Sequence, residues 1–301
     1  MAAVVYFAGR KIVASWEQVR EAAAGLRLSW GYIVLSCALV LAAYAVLIET
    51  WRIVLGAWDA RLPFWGAVRI WTVSNLGRYI PGKVWQMGAL IVMVQQRGIS
   101  GIAGAGSALV NTIVSGITGF AVVAITGASV LHLPRGALIA IWIVGITIVL
   151  AMPVSLPIMG RIATRITRRS IVLPRLAPSV VLATVAGTTI AWCVYGVAFQ
   201  LLTKGLLGSA PGGMALYISV FTGSYLIGFL ALFAPGGLVV REGVMQIALA
   251  NAGFSTGDAI VLAVASRLWL IVLEIMPAVL ILLGQPIMER LRGGAAGKHA
   301  G

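Results

Sequence analysis

Long apolar runs separated by short polar breaks dominate the chain. Runs of roughly 20 apolar residues are long enough to cross a bilayer as a helix. They occur at residues 30–47, 102–126, 137–158, 180–202, 214–233 and 259–283, and each predicts a transmembrane helix. The stretch 62–97 differs. It is apolar but interrupted by Arg69, Arg78, Pro81-Gly82 and Lys83, and each of its halves is too short to span. Two short helices meeting at Pro81-Gly82 predict a re-entrant hairpin. Residues 238–250 are also short and follow Pro235-Gly236-Gly237, so they can pair with 214–233 in the same way. Near the start, Ile12, Trp16, Val19, Ala23 and Leu26 recur at helical spacing, which predicts an amphipathic helix over 11–26 at the membrane interface.

The pattern therefore predicts an all-α polytopic membrane protein. It has about seven or eight transmembrane helices and two re-entrant or broken hairpins. An interfacial segment covers residues 1–28, a single transmembrane domain 29–284 and a polar tail 285–301. Composition agrees: the chain is 60% hydrophobic and 10% charged, with mean hydropathy +1.02, which excludes an ordinary soluble domain. The net charge of +14 reads in two ways. Lys and Arg hold cytoplasmic loops inside, and they attract anionic lipid. The charges flank apolar spans rather than forming a soluble basic face, which argues against nucleic acid as a partner.

Charge also orients the spans. The basic loop 159–178 belongs in the cytoplasm. The flanking spans then alternate outward, leaving the N-terminus external and the C-terminus cytoplasmic. Each half, 29–127 and 179–284, becomes helix, hairpin, helix with opposite orientation, an inverted repeat of the kind found in secondary transporters. The breaks support it: Pro81 precedes Gly98-Ile99-Ser100 by 17 residues, and Pro235 precedes Gly253-Phe254-Ser255 by 18. A topology in which 214–233 and 238–250 both cross the membrane leaves the C-terminus on the same side.

Ionisable side chains at membrane depth mark the candidate chemistry. Arg78 and Lys83 flank the first break, and a helix starting after Pro81-Gly82 adds free N–H groups to make an anion site suited to phosphate. The alternative is that both cations snorkel to the cytoplasmic face. Tyr79 and Trp85 pack on glycerol or acyl carbons, or anchor at the interface. Arg241 and Glu242 follow the second break and point about 100° apart, so each needs another partner. Arg267 and Glu274 lie seven residues apart on one face of the last span. An Arg267–Glu242 or Arg241–Glu274 ion pair satisfies both helices, as a structural lock or as a network that opens on substrate phosphate. Pro235, Gly236, Gly237 and Gly243 are the candidate hinge. Glu49 and Arg52 read as a structural pair, and Asn75 and Asn111 as interhelical hydrogen-bonders. Gly101, Gly104, Ala105 and Gly106 predict close helix contact. Cys37 and Cys193 read as small buried hydrophobes, and neither histidine belongs to a metal-ligand cluster. No nucleotide or nucleophile-elbow motif is present, so neither a metal nor a cofactor is expected.

The run Asn75 to Trp85, the Arg97-Gly98-Ile99-Ser100 that closes its hairpin, and Ala234-Pro235-Gly236-Gly237 with Arg241-Glu242-Gly243 resemble the lysylphosphatidylglycerol synthase transmembrane-region family. The likeness runs from about Lys11 to Leu283. It implies a lipid-translocase fold like the flippase domain of the multiple peptide resistance factor, with re-entrant helices around a phospholipid cavity in the bacterial inner membrane. The sequence departs from the family's pattern at Gln86 and Leu90, where an acidic residue and an arginine are usual, and at Asn111-Thr112, where a Glu-Arg pair is usual. Lipid aminoacylation is not expected, since the chain reaches only Gly301 and holds no synthase domain.

These readings make a lipid flippase the leading expectation, with no catalytic residue and a phospholipid or polyprenyl-phosphate-linked lipid as substrate. Arg78, Tyr79, Pro81, Gly82, Lys83, Trp85 and Arg241 would receive the phosphate, and Glu242, Arg267 and Glu274 would form the opposing gate. A membrane glycosyltransferase using a lipid-phosphate donor, or a scaffold for a separate lipid-modifying enzyme, are the alternatives. A homo-oligomer is a further partner expectation.

Overall fold

A computed structural model of the chain describes residues 24–80, 84–127, 175–231 and 239–296, with single positions elsewhere and side chains as far as Gly284. Pro81, Gly82, Lys83, Pro235, Gly236 and Gly237 lie outside the described residues, as do most of the predicted interfacial helix, the span 137–158 and the basic loop 159–178.

The described elements are α1 (Trp30–Gly56), α2 (Phe64–Asn75), a 3-10 turn (Leu76–Tyr79), α3 (Trp85–Gln95), α4 (Gly101–Thr126), α5 (Pro178–Leu207), α6 (Met214–Leu230), α7 (Val240–Asn251) and α8 (Thr256–Ala296). Local sequence sets several boundaries. Ser100 accepts the Ile102 N–H at α4's start, and Pro178 opens α5 where a missing N–H costs nothing. Gly208 ends α5 at φ 76, a left-handed stop that glycine adopts freely. Ser255 and Asp258 cap α8 reciprocally: the Asp258 N–H reaches Ser255 Oγ at 3.0 Å, and the Ser255 hydroxyl donates to Asp258 Oδ2 at 2.7 Å.

Among the described residues, four helices are long and apolar enough to cross a membrane: α1 with 27 residues, α4 with 26, α5 with 30, and the 29 residues Thr256–Gly284 of α8. Large apolar side chains such as Leu109, Ile125, Leu182, Ile190, Val272 and Leu283 are exposed on them, the surface a lipid-embedded bundle presents. The chain is a multi-pass membrane protein. α1 runs nine residues beyond its predicted end, carrying Glu49 and Arg52 inside the helix. There Arg52 Nε and Nη2 donate to Glu49 at 2.7 and 2.6 Å, and Nη1 reaches Leu62 O at 3.3 Å. The charges are thus satisfied where the apolar run ends. α6 is shorter than predicted, at 17 residues, about 26 Å at the helical rise. α2, α3 and α7 have 12, 11 and 12 residues, each under about 20 Å and well short of the bilayer core.

The largest helix pairing joins α1 to α5. α6 packs on α4, α5 and α7, while α2 packs on α1, α3 and α8. Small residues allow the closest approaches, as expected where no hydrophobic force drives helices together in lipid. A Cβ on Gly187 would meet Thr50 Cγ2 at 2.2 Å, on Gly196 it would meet Ile218 Cα at 2.4 Å, and on Gly104 it would meet Val94 Cγ2 at 2.5 Å. A Cβ on Gly101 would meet Ile91 Cγ2 at 2.9 Å, so of the four small residues predicted to make close contact, Gly101 and Gly104 do. Buried hydrogen bonds join the same helices: Trp51 Nε1 to Ser107 Oγ at 2.9 Å, Thr118 to Thr188 at 3.0 Å, and Trp192 Nε1 to the Ser115 carbonyl at 2.8 Å. Cys37 and Cys193 are free thiols, half-buried against the main apolar cluster rather than fully inside it.

Candidate functional site

All eight helices contribute to the wall of one internal cavity of about 390 Å³. Its two α8 charges, Arg267 and Glu274, bracket Leu270, the centre of the Thr256–Gly284 span. The rings of Tyr44, Trp71, Trp192, Tyr195 and Tyr225 line part of it, backed by further aromatics of α6. Tyr217, Phe221 and Tyr225 recur every fourth residue along α6. Tyr195 stacks on Phe221 at 5.5 Å, and Trp192 meets Tyr225 at 5.5 Å edge to face.

The 3-10 turn delivers Arg78 to this cavity. Its Nη1 donates to Glu274 Oε1 at 2.8 Å and to Tyr225 Oη at 3.3 Å, while Nη2 donates to Asn75 Oδ1 at 3.3 Å. The Tyr79 hydroxyl donates to Glu274 Oε2 at 2.6 Å, and the Tyr44 hydroxyl to Oε1 at 3.4 Å. Asn75 Oδ1 also accepts from Gln86 Nε2, tying α2 to α3. The turn fits because residue 77 has no side chain: a Cβ on Gly77 would sit 2.5 Å from the Gln86 backbone nitrogen.

α7 delivers Arg241, which is 3% exposed. Its guanidinium lies over the rings of Phe221 at 5.1 Å and Tyr225 at 5.4 Å, a favourable cation–π arrangement. Its Nε and Nη2 have no hydrogen-bond partner among the described residues. Gly228 makes room for it, since a Cβ there would meet Arg241 Cβ at 2.8 Å. Glu242 faces Arg267 Nε at 3.8 Å, and its other oxygen accepts the Val239 N–H at 2.7 Å. Val239 itself has φ 71, a conformation that a β-branched residue rarely adopts.

Of the two ion pairs that the sequence offers, Arg267–Glu242 forms and Arg241–Glu274 does not. Glu274 lies two turns beyond Arg267 on α8, level with the 3-10 turn, so its partner is Arg78. The first-break cation is consequently joined to the second-half network through Glu274. Trp85 is exposed at the start of α3 and does not line the cavity. Gly243 lies in α7, with open space where a Cβ would stand. Asn75 bonds between helices as expected. Asn111 lines the cavity, with a buried Oδ1 that has no partner among the described residues. The sequence reading passed over Tyr44, Tyr225 and the cavity face of Asn111. The fourfold aromatic spacing on α6 signals Tyr225 and the polar stripe Asn111, Thr112, Ser115 on α4 signals Asn111, whereas no pattern singles out Tyr44 on α1. Among the described residues, no group of three potential metal ligands exists.

The family model described as lysylphosphatidylglycerol synthase TM region matches residues 1–277. The chain belongs to that family. The lysylphosphatidylglycerol synthase transmembrane-region match supports a membrane role connected with lipid, and it covers every residue that lines the cavity. Gln86, Leu90, Asn111 and Thr112 all line that cavity. No curated protein matches the chain.

Proposed function

We propose that the chain is a lipid translocase of the bacterial inner membrane, moving phosphate-bearing head groups between leaflets while the acyl chains stay in lipid. Arg241 carries the reading. A guanidinium buried at membrane depth, with two nitrogens lacking acceptors among the described residues and an internal cavity before it, is a group that an anionic ligand completes. Arg78 supplies a second set of donors when an arriving phosphate displaces Glu274.

In this reading α2–α3 and α6–α7 are re-entrant hairpins of an inverted repeat. Three observations support it. All four arms are short. The first arm of each hairpin packs on the last helix of the other half, α2 on α8 and α6 on α4. In both hairpins a glycine of the first stretch, Gly77 or Gly228, lies against the start of the second arm at Gln86 or Arg241. The first break, with Pro81, Gly82 and Lys83, forms the entry. The second, with Pro235, Gly236, Gly237 and Gly243, is the hinge, and Trp85 anchors the first hairpin in lipid. The C-terminus is cytoplasmic. Glu274 has both oxygens held by Arg78, Tyr44 and Tyr79, which favours a gate over a catalytic base.

The test is movement of fluorescent phospholipid across vesicles holding the purified chain. Arg78→Ala and Arg241→Ala each lower the rate by about tenfold or more, the loss of one charged hydrogen bond or more, with folding checked by size-exclusion chromatography. Unchanged rates in both folded variants remove the site.

A further inference from the structure

The translocase reading leaves the head group open, and the cavity wall narrows it. We infer that the lipid carried has an anionic phosphodiester joined to an uncharged, hydroxylated head, a polyol or a sugar, and that amine-bearing heads are selected against. The inference rests on the proposed translocase reading for its biological meaning but on separate observations for its chemistry.

The first observation is the charge of the wall. Among the described residues it holds Arg78, Arg241 and Arg267 against a single carboxylate, Glu274. Glu242 stands behind Arg267 and is engaged there and at the Val239 N–H. Glu274 is filled on both oxygens, by Arg78 at 2.8 Å, Tyr79 at 2.6 Å and Tyr44 at 3.4 Å. An ammonium group entering here meets three guanidinium groups and no open carboxylate. Like charge placed against like charge is the usual device by which a site rejects a ligand. One monoanionic phosphate, in contrast, balances the excess of one cation left after both carboxylates are counted.

The second observation is the neutral part of the wall. Asn111, Thr112 and Ser115 lie on one face of α4, with Gln86 of α3 and Asn75 of α2 also lining the cavity. Asn111 Oδ1 and Asn75 Nδ2 are buried without partners among the described residues. One is an acceptor and the other a donor. A hydroxyl both donates and accepts, and so matches both, whereas an ammonium only donates. Asn75 is fixed in this orientation, because its Oδ1 accepts from both Arg78 and Gln86. Exchanging the amide atoms of Asn111 leaves two donors, which a hydroxyl oxygen satisfies and an ammonium cannot.

Two measurements on the purified full chain test this. The first is thermal stability in detergent with added phosphatidylglycerol, a polyprenyl-phosphate hexose, phosphatidylethanolamine or lysylphosphatidylglycerol. The second is transfer of labelled forms of the same lipids in vesicles. One or both of the hydroxylated anions stabilise the protein, the stronger identifying whether polyol or sugar is preferred, and the two amine-bearing lipids do not. Transfer of the favoured lipid exceeds that of lysylphosphatidylglycerol by about tenfold or more, the scale on which unmatched buried polar groups discriminate. Asn111→Leu narrows that ratio, and Asn111→Asp moves it toward the amine-bearing lipids. Equal stabilisation and equal transfer of all four lipids overturn the head-group assignment and leave the translocase reading intact. Selective stabilisation with no transfer of any lipid supports the assignment and removes the translocase reading. If neither hydroxylated lipid stabilises the chain, the assignment is wrong.

Discussion

Glu274 collects three donors from two other parts of the chain: Arg78, Tyr79 and Tyr44. A buried carboxylate and guanidinium depend on each other, because removing one leaves the other charged and unpaired. Glu274→Gln is therefore expected to lower stability by about 3 kcal/mol. Adding Arg78→Met should recover most of that loss in a double-mutant cycle read by unfolding in detergent. Additive losses would show that the pair is not coupled. The sequence offered Arg267–Glu242 as one of two alternatives, because Glu242 beside the second break and Arg267 in the last span each need a partner at membrane depth. It could not reach Arg78–Glu274, whose members are 196 residues apart, because hydropathy does not say which helix faces which. For the same reason the partner of Arg241 was sought among carboxylates, when two α6 rings occupy that role.

At the scale of elements, the short helices were legible as short, since Arg78, Pro81-Gly82 and Lys83 interrupt the apolar run and leave too few residues on each side. Their tight seating was not legible, because one glycine among 36 carries no mark of its contact. Gly77→Ala should cost about 1–3 kcal/mol by driving the 3-10 turn off the first turn of α3. Gly88→Ala, on the same α3 with open space around its missing Cβ, should be neutral or gain up to about 1 kcal/mol, since alanine suits a helix interior better. Thermal melts of the two variants make the comparison. Equal effects would mean that the close approach of Gly77 to Gln86 is not maintained in solution.

For the molecule as a whole, α1 and α5 form the seam between the halves. A Cβ on Gly187 would stand 3.7 Å from Thr50 Cβ, within the span that a disulfide bridges. In a background with Cys37→Ala and Cys193→Ala, the pair Thr50→Cys and Gly187→Cys should cross-link on oxidation, seen as a mobility shift after engineered cleavage between the halves. Lipid transfer should persist if this seam is the fixed axis about which the hairpins work. Loss of transfer in the cross-linked, folded protein would place the moving boundary there instead. The three arginines and two carboxylates around the cavity also make the molecule an electrical device. Their surplus positive charge sits near the midplane, where each elementary charge carried across the field is worth about 2.3 kcal/mol per 100 mV. A monoanionic lipid cancels that surplus. In the proposed translocase, the loaded form would then cross without sensing the membrane potential, and the empty form would not. Voltage imposed on vesicles should therefore set the pace of the unloaded return, and so the direction in which lipid accumulates.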